Sequence, residues 1–183
     1  MIDFILDSKL IELNKEFGFN KFIKVKIIKA SKLEDFKKKV AKEKELIVVE
    51  ANEKILRNVF ENKDIDIIIG LEKLEDKDSL HHRNSGLNQV LCNLAKKNKI
   101  SVGFNFNDVL NSKEQGKLIG RMMQNAKLCK KYKVNVVLGS FAKDKYDLRL
   151  RKDLEVFGRL IGIDKLGNTK VFKLKEFLDI KVI

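Results

Sequence analysis

The chain has 183 residues, 44% of them apolar, with two cysteines, no tryptophan and no proline; this length predicts one domain, 1–183, able to bury a core. No run approaches the roughly 18 apolar residues of a membrane span, and Met1-Ile2-Asp3-Phe4 lacks a basic flank leading into an apolar core, so a soluble, cytoplasmic protein with no membrane partner is expected. The net charge of +13 is lopsided: residues 1–95 sum to +1, whereas 96–183 hold 21 Lys/Arg against nine Asp/Glu, a surplus that a polyanionic partner or a lysine-solvated surface would explain.

In chain order, β-branched runs at 2–6, 25–30, 46–50, 65–70, 100–104 and 134–139 predict strands, and helical periods fall at 8–17, 32–43, 53–62, 86–98, 112–132 and 150–161. Regular alternation of strand and helix means parallel strands joined by right-handed crossovers. Ile47-Val48-Val49, Ile67-Ile68-Ile69 and Val136-Val137-Leu138 are apolar at consecutive positions, as strands covered on both faces should be. A closed barrel and an open doubly wound sheet both satisfy this pattern. In either, sites are built at the C-terminal ends of the strands. The segments 71–85, 105–107 and 140–149 should therefore cluster.

The block 81–95 joins a polar cluster, His81-His82-Arg83-Asn84-Ser85-Gly86, to a helix whose apolar residues Leu87, Val90, Leu91, Leu94 and Ala95 recur at helical spacing. Asn84 or Ser85 is the expected N-cap, which would place the cluster at a helix N-terminus suited to an anion. On the helix 112–132, Lys113, Lys117, Arg121, Gln124, Lys127 and Lys131 share one half, opposite Leu118, Ile119, Met122, Ala126 and Cys129. Segment 112–133 carries seven basic residues and one acidic, so like charges stack without i,i+4 relief, which favours RNA contact. Arg121 and Asn125 sit at the border of the two faces, where a phosphate ligand and an internal clamp are equally good readings. Arg149 is expected to pair internally with one of Asp144, Asp147 or Asp153. Arg151 and Lys152 are better candidates for RNA.

Catalytic constellations are scarce. His81 and His82 are adjacent, so on an extended segment they point opposite ways and cannot share a metal, and a loop hydrogen-bonding role suits His82 better. Glu72, Glu75, Asp76 and Asp78 match no metal spacing. Ser85 and Ser140 lack a His and Asp arrangement, and no Gly-rich phosphate loop occurs. Cys92 and Cys129 read as buried free thiols. Base stacking is weakly provided for, since only Phe104, Phe106, Phe141 and Tyr146 lie near the expected edge.

The block 81–95, then Gly120-Arg121-Met122-Met123-Gln124-Asn125 with Leu128 to Tyr132, then Val136 to Ala142, then Asp147-Leu148-Arg149 with Asp153-Leu154 and Phe157 to Gly162, resemble in order the motifs of the archaeal ribonuclease P protein component 3 family. Lys145 departs from the pattern, standing where a proline is expected. The resemblance implies an irregular, short TIM-type barrel, with the open sheet as the alternative. It further implies an RNA-binding subunit of the endoribonuclease that removes 5′ leaders from precursor tRNA. The protein would bind no cofactor, Mg²⁺ would sit on the RNA subunit, and the partners would be ribonuclease P RNA through its catalytic domain, protein component 2, the other protein subunits and, indirectly, precursor tRNA. The candidate RNA-binding residues are Arg83, Asn84, Lys117, Arg121, Lys127, Lys131, Arg149, Arg151 and Lys152. The alternatives are a stand-alone metal-dependent phosphoesterase and a scaffold that binds only proteins.

Overall fold

A computed structural model describes residues 1–74, 76–81 and 83–163; Glu75, His82 and 164–183 lie outside the described residues. The described residues form seven strands interspersed with helices: β1 (Ile2–Ile5), β2 (Lys21–Lys24), β3 (Lys26–Ile28), β4 (Ile47–Glu50), β5 (Ile67–Ile69), β6 (Ser101–Asn105) and β7 (Val136–Gly139). The helices are α1 (Leu33–Lys42), α2 (Leu56–Glu61), α3 (Gln89–Asn98), α4 (Phe106–Leu110), α5 (Gln115–Tyr132) and α6 (Arg151–Leu160). Two expectations shift. The segment expected as a helix at 8–17 forms a short 3-10 helix, Ser8–Asn14, and the strand expected from residue 25 begins at Lys21.

All pairings are parallel, β1 with β2 and β3 through β7 in sequential order. Only Val25 separates β2 from β3, so a single extended segment leaves β1 and joins β4. The Val25 N–H makes the last bond back to Ile5 O at 2.8 Å. On the other side, Ile5 bridges Ala142 and the Leu6 N–H donates to Ala142 O at 2.8 Å, which brings β7 beside β1. Sequential order without reversal, with both outer strands meeting, is a closed barrel and not a doubly wound sheet.

Alternation across each strand separates two cores. Phe4, Val25, Val48, Ile67, Ile69, Val137 and Phe141 form the inner cluster, while Ile5, Ile47, Val49, Ile68 and Leu138 face the helices. The ring is too narrow to hold a side chain from every strand. A Cβ on Gly103 would lie 2.7 Å from Ile69 Cγ2 and 2.8 Å from Ile67 Cγ2, so β6 contributes bare backbone at that level. Phe141, at φ +49°, stacks on Phe4 with centroids 5.7 Å apart and plugs the barrel towards its C-terminal end.

The β1/β7 seam is held by a buried carboxylate. Asp3 accepts from the Ser140 N–H at 2.7 Å, the Ser140 hydroxyl at 2.6 Å and the Phe4 N–H at 2.8 Å. Burial pushes its pKa up to about 6 against the pull of these donors. Ser140 is therefore committed to the seam.

Candidate nucleic-acid interface

Helix α3 starts at Gln89, capped by the Asn88 side chain, which accepts from the Leu91 N–H at 3.0 Å. The expected caps Asn84 and Ser85 lie upstream in a loop, because Gly86 takes φ +75° and breaks the helical run. A Cβ there would fall 2.2 Å from Leu71 O, so the chain presses against the turn after β5. Val90, expected in the buried stripe, is 57% exposed, and Cys92 takes its place beside Leu91 and Ala95.

Instead of crowning a helix N-terminus, the polar cluster lies along α5. The Arg121 guanidinium, 2% exposed, reaches across 43 positions: Nε and Nη2 each lie 2.8 Å from Asp78 Oδ1, and Nη1 donates to Glu72 O at 3.0 Å. Lys117 donates to Asp76 O and, at 2.9 Å, to Glu114. Gln124 donates to Arg83 O at 3.0 Å, and Asn125 to Ser85 O at 2.8 Å. Arg83 lays its guanidinium over Gly120, where a Cβ would sit 2.7 Å from Nε. Asn84 closes the loop on itself, its N–H donating to Asp78 at 2.9 Å and its amide to Lys77 O at 2.7 Å.

Half of the basic face of α5 thus points inward. Arg121, offered above as an RNA ligand or a clamp, is placed as a clamp, and Lys117 is tied to the loop it covers. Desolvation raises the Asp78 carboxyl, but the Asn84 N–H, Arg121 and Lys117 outweigh it and hold its pKa below the ordinary value. Beneath them Glu72 is fully buried, no described side chain donates to its carboxylate, and burial, helped by the nearby Asp108, pushes its pKa up to about 7 against the pull of its own backbone N–H and Lys73. His81 is exposed beside Leu80, and the role expected for His82 lies outside the described residues, as does Glu75.

The other candidates scatter. Lys127 and Lys131 are exposed on the outer turns of α5. Arg149 pairs with none of Asp144, Asp147 and Asp153; its Nη1 donates to Tyr146 O and Leu148 O, both at 2.6 Å, which corrects the expected carboxylate pair. The main chain there satisfies it because Asp144 is engaged in capping the Lys145–Asp147 turn. Arg151 is bound to Glu155 at 2.7 Å one turn along α6, while Lys152 is exposed beside it.

The C-terminal mouth of the barrel is a cleft of about 500 Å³ floored by Phe141 and ringed by Lys24, Lys26, Lys143, Asn105 and Asn107. The segments after β6 and β7 do meet there, since the Asn107 amide donates to Ser140 O at 2.7 Å and Asp147 O at 3.2 Å. Helix α4, absent from the sequence expectations, starts at this point under an Asn105 cap. A chain of ion pairs crosses the mouth: Lys29–Glu50 at 2.5 Å, Glu50–Lys73 at 2.9 Å and Lys73–Asp108 at 2.8 Å. Desolvation opposes ionisation of Glu50, but Lys29 and Lys73 prevail and its pKa is lowered. Among the described residues no three His, Cys, Asp or Glu side chains are grouped to hold a metal ion. Cys92 and Cys129 are buried free thiols, and burial raises both pKa values, that of Cys92 to about 11.

The structure is thus a closed parallel α/β barrel with paired lysines and carboxylates at its mouth and, on α5, exposed lysines at the outer turns. The profile described as RNase P subunit p30 matches residues 8–173. The chain is 30% identical over 163 residues to ribonuclease P protein component 3 of Methanococcus maripaludis, covering 87% of this chain and 67% of that protein. It is likewise 30% identical over 164 residues to the protein of that name from Methanocaldococcus jannaschii, covering 86% of this chain and 67% of that one. A chain from the cryo-EM structure of archaeal ribonuclease P with mature tRNA shares the fold, with a TM-score of 0.72 at 24% identity, covering 100% of this chain and 84% of that one. This chain belongs to the ribonuclease P subunit p30 family, whose members are protein subunits of that endoribonuclease.

Proposed function

We propose that this chain serves ribonuclease P as an RNA-binding subunit that supports the catalytic domain of the enzyme's RNA together with protein component 2, in the cytoplasm. The observation that carries this reading is the family match over residues 8–173, which takes in every described helix from α1 onward and the lysine-bearing face of α5. The mechanism is electrostatic. Lysines offset phosphate repulsion, so the RNA holds its active fold with less free Mg²⁺, and the hydrolytic metal sits on the RNA. The neighbouring structure is of an archaeal ribonuclease P with mature tRNA, which supports ribonuclease P RNA and further protein subunits as partners; precursor tRNA would be met indirectly. A stand-alone phosphoesterase gains no support from a mouth whose carboxylates Glu50 and Asp108 are engaged by Lys29 and Lys73.

Reconstitution tests the reading. The cognate RNA with component 2 and this chain should cleave precursor tRNA at a lower Mg²⁺ concentration than the RNA with component 2 alone, and the isolated chain should cleave nothing. Cleavage by the isolated chain, or no effect of adding it, would refute the proposal.

A further inference from the structure

Exposed positive charge also gathers away from the C-terminal mouth, at the opposite end of the barrel. Helices α3 and α5 pack side by side, and each runs directly into a strand of the sheet, β6 and β7, which are themselves neighbours. Their endings repeat one sequence: Lys96-Lys97-Asn98-Lys99-Ile100 and Lys130-Lys131-Tyr132-Lys133-Val134. They repeat one backbone as well. Lys99 at φ 59° and Lys133 at φ 58° both occupy the left-handed position after the helix. The Ile100 N–H donates to Ala95 O at 2.8 Å, and the Val134 N–H to Cys129 O at 2.9 Å. The two turns are bound into register through the Val102 N–H, which donates to Asn135 O at 2.9 Å.

All six lysines are exposed, with Lys127 one turn earlier on the same helix. No Asp or Glu occurs in 96–99 or 127–134. Lys96, Lys97, Lys127 and Lys133 pair with no described carboxylate. Lys99 and Lys130 each have a partner of their own, as do Asp64 and Asp66 on the neighbouring turn into β5, where the buried Asp66 carboxylate also accepts from the Ile47 N–H at 2.8 Å. Two features exceed what helix capping needs. A lysine near a helix C-terminus complements the dipole, yet half a unit of negative charge per helix does not call for three. And the left-handed position favours glycine, so placing Lys there twice sacrifices backbone comfort for charge.

We infer that the paired Lys-Lys-x-Lys endings of α3 and α5 form one binding surface for the phosphodiester backbone of a helical RNA segment, at the end of the barrel opposite its mouth. Packed helix axes lie about 8–10 Å apart, so the two triads lie close enough for one RNA segment to meet both. Contact is with backbone and not with splayed bases: the one aromatic ring in the motif, Tyr132, is half-buried and covered by Lys131, whose Nζ lies 5.5 Å from the ring centroid. This inference rests on the RNA-subunit reading above and assigns it a surface.

The test measures binding of the full chain to the cognate ribonuclease P RNA, and to a long-stemmed RNA hairpin, as a function of salt. One variant carries Lys96→Gln, Lys97→Gln and Lys99→Gly; a second carries Lys130→Gln, Lys131→Gln and Lys133→Gly; a control carries Lys32→Gln, Lys37→Gln and Lys38→Gln, exposed at and on the first turns of α1. Glycine suits the left-handed positions, so melting temperatures should hold. If two or three lysines of a triad touch phosphates, each triad variant flattens the slope of log K against log salt by about 1.5–2.5 and weakens binding about 20- to 100-fold near 0.15 M salt. The control stays near the unaltered protein, and Lys→Arg at 96, 97, 130 and 131 retains binding. Equal losses from control and triads would mean that net charge alone matters and would overturn the inference, as would an unchanged slope in the triad variants. Competition by single-stranded poly(U) as strong as by the hairpin would overturn the helical-RNA part. Absence of salt-dependent RNA binding by the unaltered protein would instead refute the RNA-subunit reading itself.

Discussion

Arg121 offers the sharpest test of whether the α5 face is ligand or architecture. Replacing it with Ala removes the donor to Glu72 O and both contacts to Asp78, and empties a site only 2% exposed. The charged bond to the buried carbonyl contributes about 1.5–3 kcal/mol, and the guanidinium stem adds packing of similar order. Asp78 is partly exposed and rehydrates, so nothing is added for the ion pair. A loss of about 3 kcal/mol follows, which for a domain of this size lowers the melting temperature by roughly 6–12 °C. Arg121→Lys should recover less than half, because one ammonium cannot span both acceptors. Thermal unfolding by circular dichroism, with Asp78→Asn and the double variant as a cycle, measures the coupling. If Arg121→Ala melts within 2 °C of the unaltered protein while losing RNA affinity, the clamp assignment is wrong and the residue is a ligand.

Further outcomes follow from other contacts. Gly86→Ala drives a Cβ to within 2.2 Å of Leu71 O at a positive φ, so it should destabilise by more than about 2 kcal/mol in chemical denaturation, with a near-normal melt counting against the observed loop path. Glu72 is held with its pKa up to about 7, above the ordinary 4.5; its favourable protonated state is full below about pH 4.5 and is lost as pH rises through 7, so stability should fall across that window and Glu72→Gln should flatten the fall, by at most about 3 kcal/mol. Cys92 and Cys129 should react with thiol reagents only at the rate of global opening, because both are buried with raised pKa values; rapid labelling in native buffer would contradict that. Lys127→Ala with Lys131→Ala should leave the melting temperature unchanged within about 2 °C while lowering RNA affinity, since both side chains are exposed.

The sequence by itself determined which segments become strands and helices, because side-chain period is a local property: consecutive apolar runs marked β4, β5 and β7, and a buried stripe of Leu118, Met122, Ala126 and Cys129 oriented α5. Its motifs also pointed to the family. Tertiary structure alone decided what those periods do not encode. The barrel closes through Asp3 and Ser140, 137 positions apart, and through a segment that changes partner at Val25. The loop 76–86 lies on α5 and turns Lys117, Arg121 and Gln124 inward, so a face that reads as uniformly basic on a helical wheel is half internal. Helix α3 begins at Gln89 because Gly86 fits against Leu71, a contact that no spacing rule contains. The two Lys-Lys-x-Lys endings stand 34 positions apart in the chain and look unrelated until β6 and β7 pair. Periodicity reports how one element meets an apolar surface; which polar groups meet each other depends on where the closed sheet brings its helix ends and loops together.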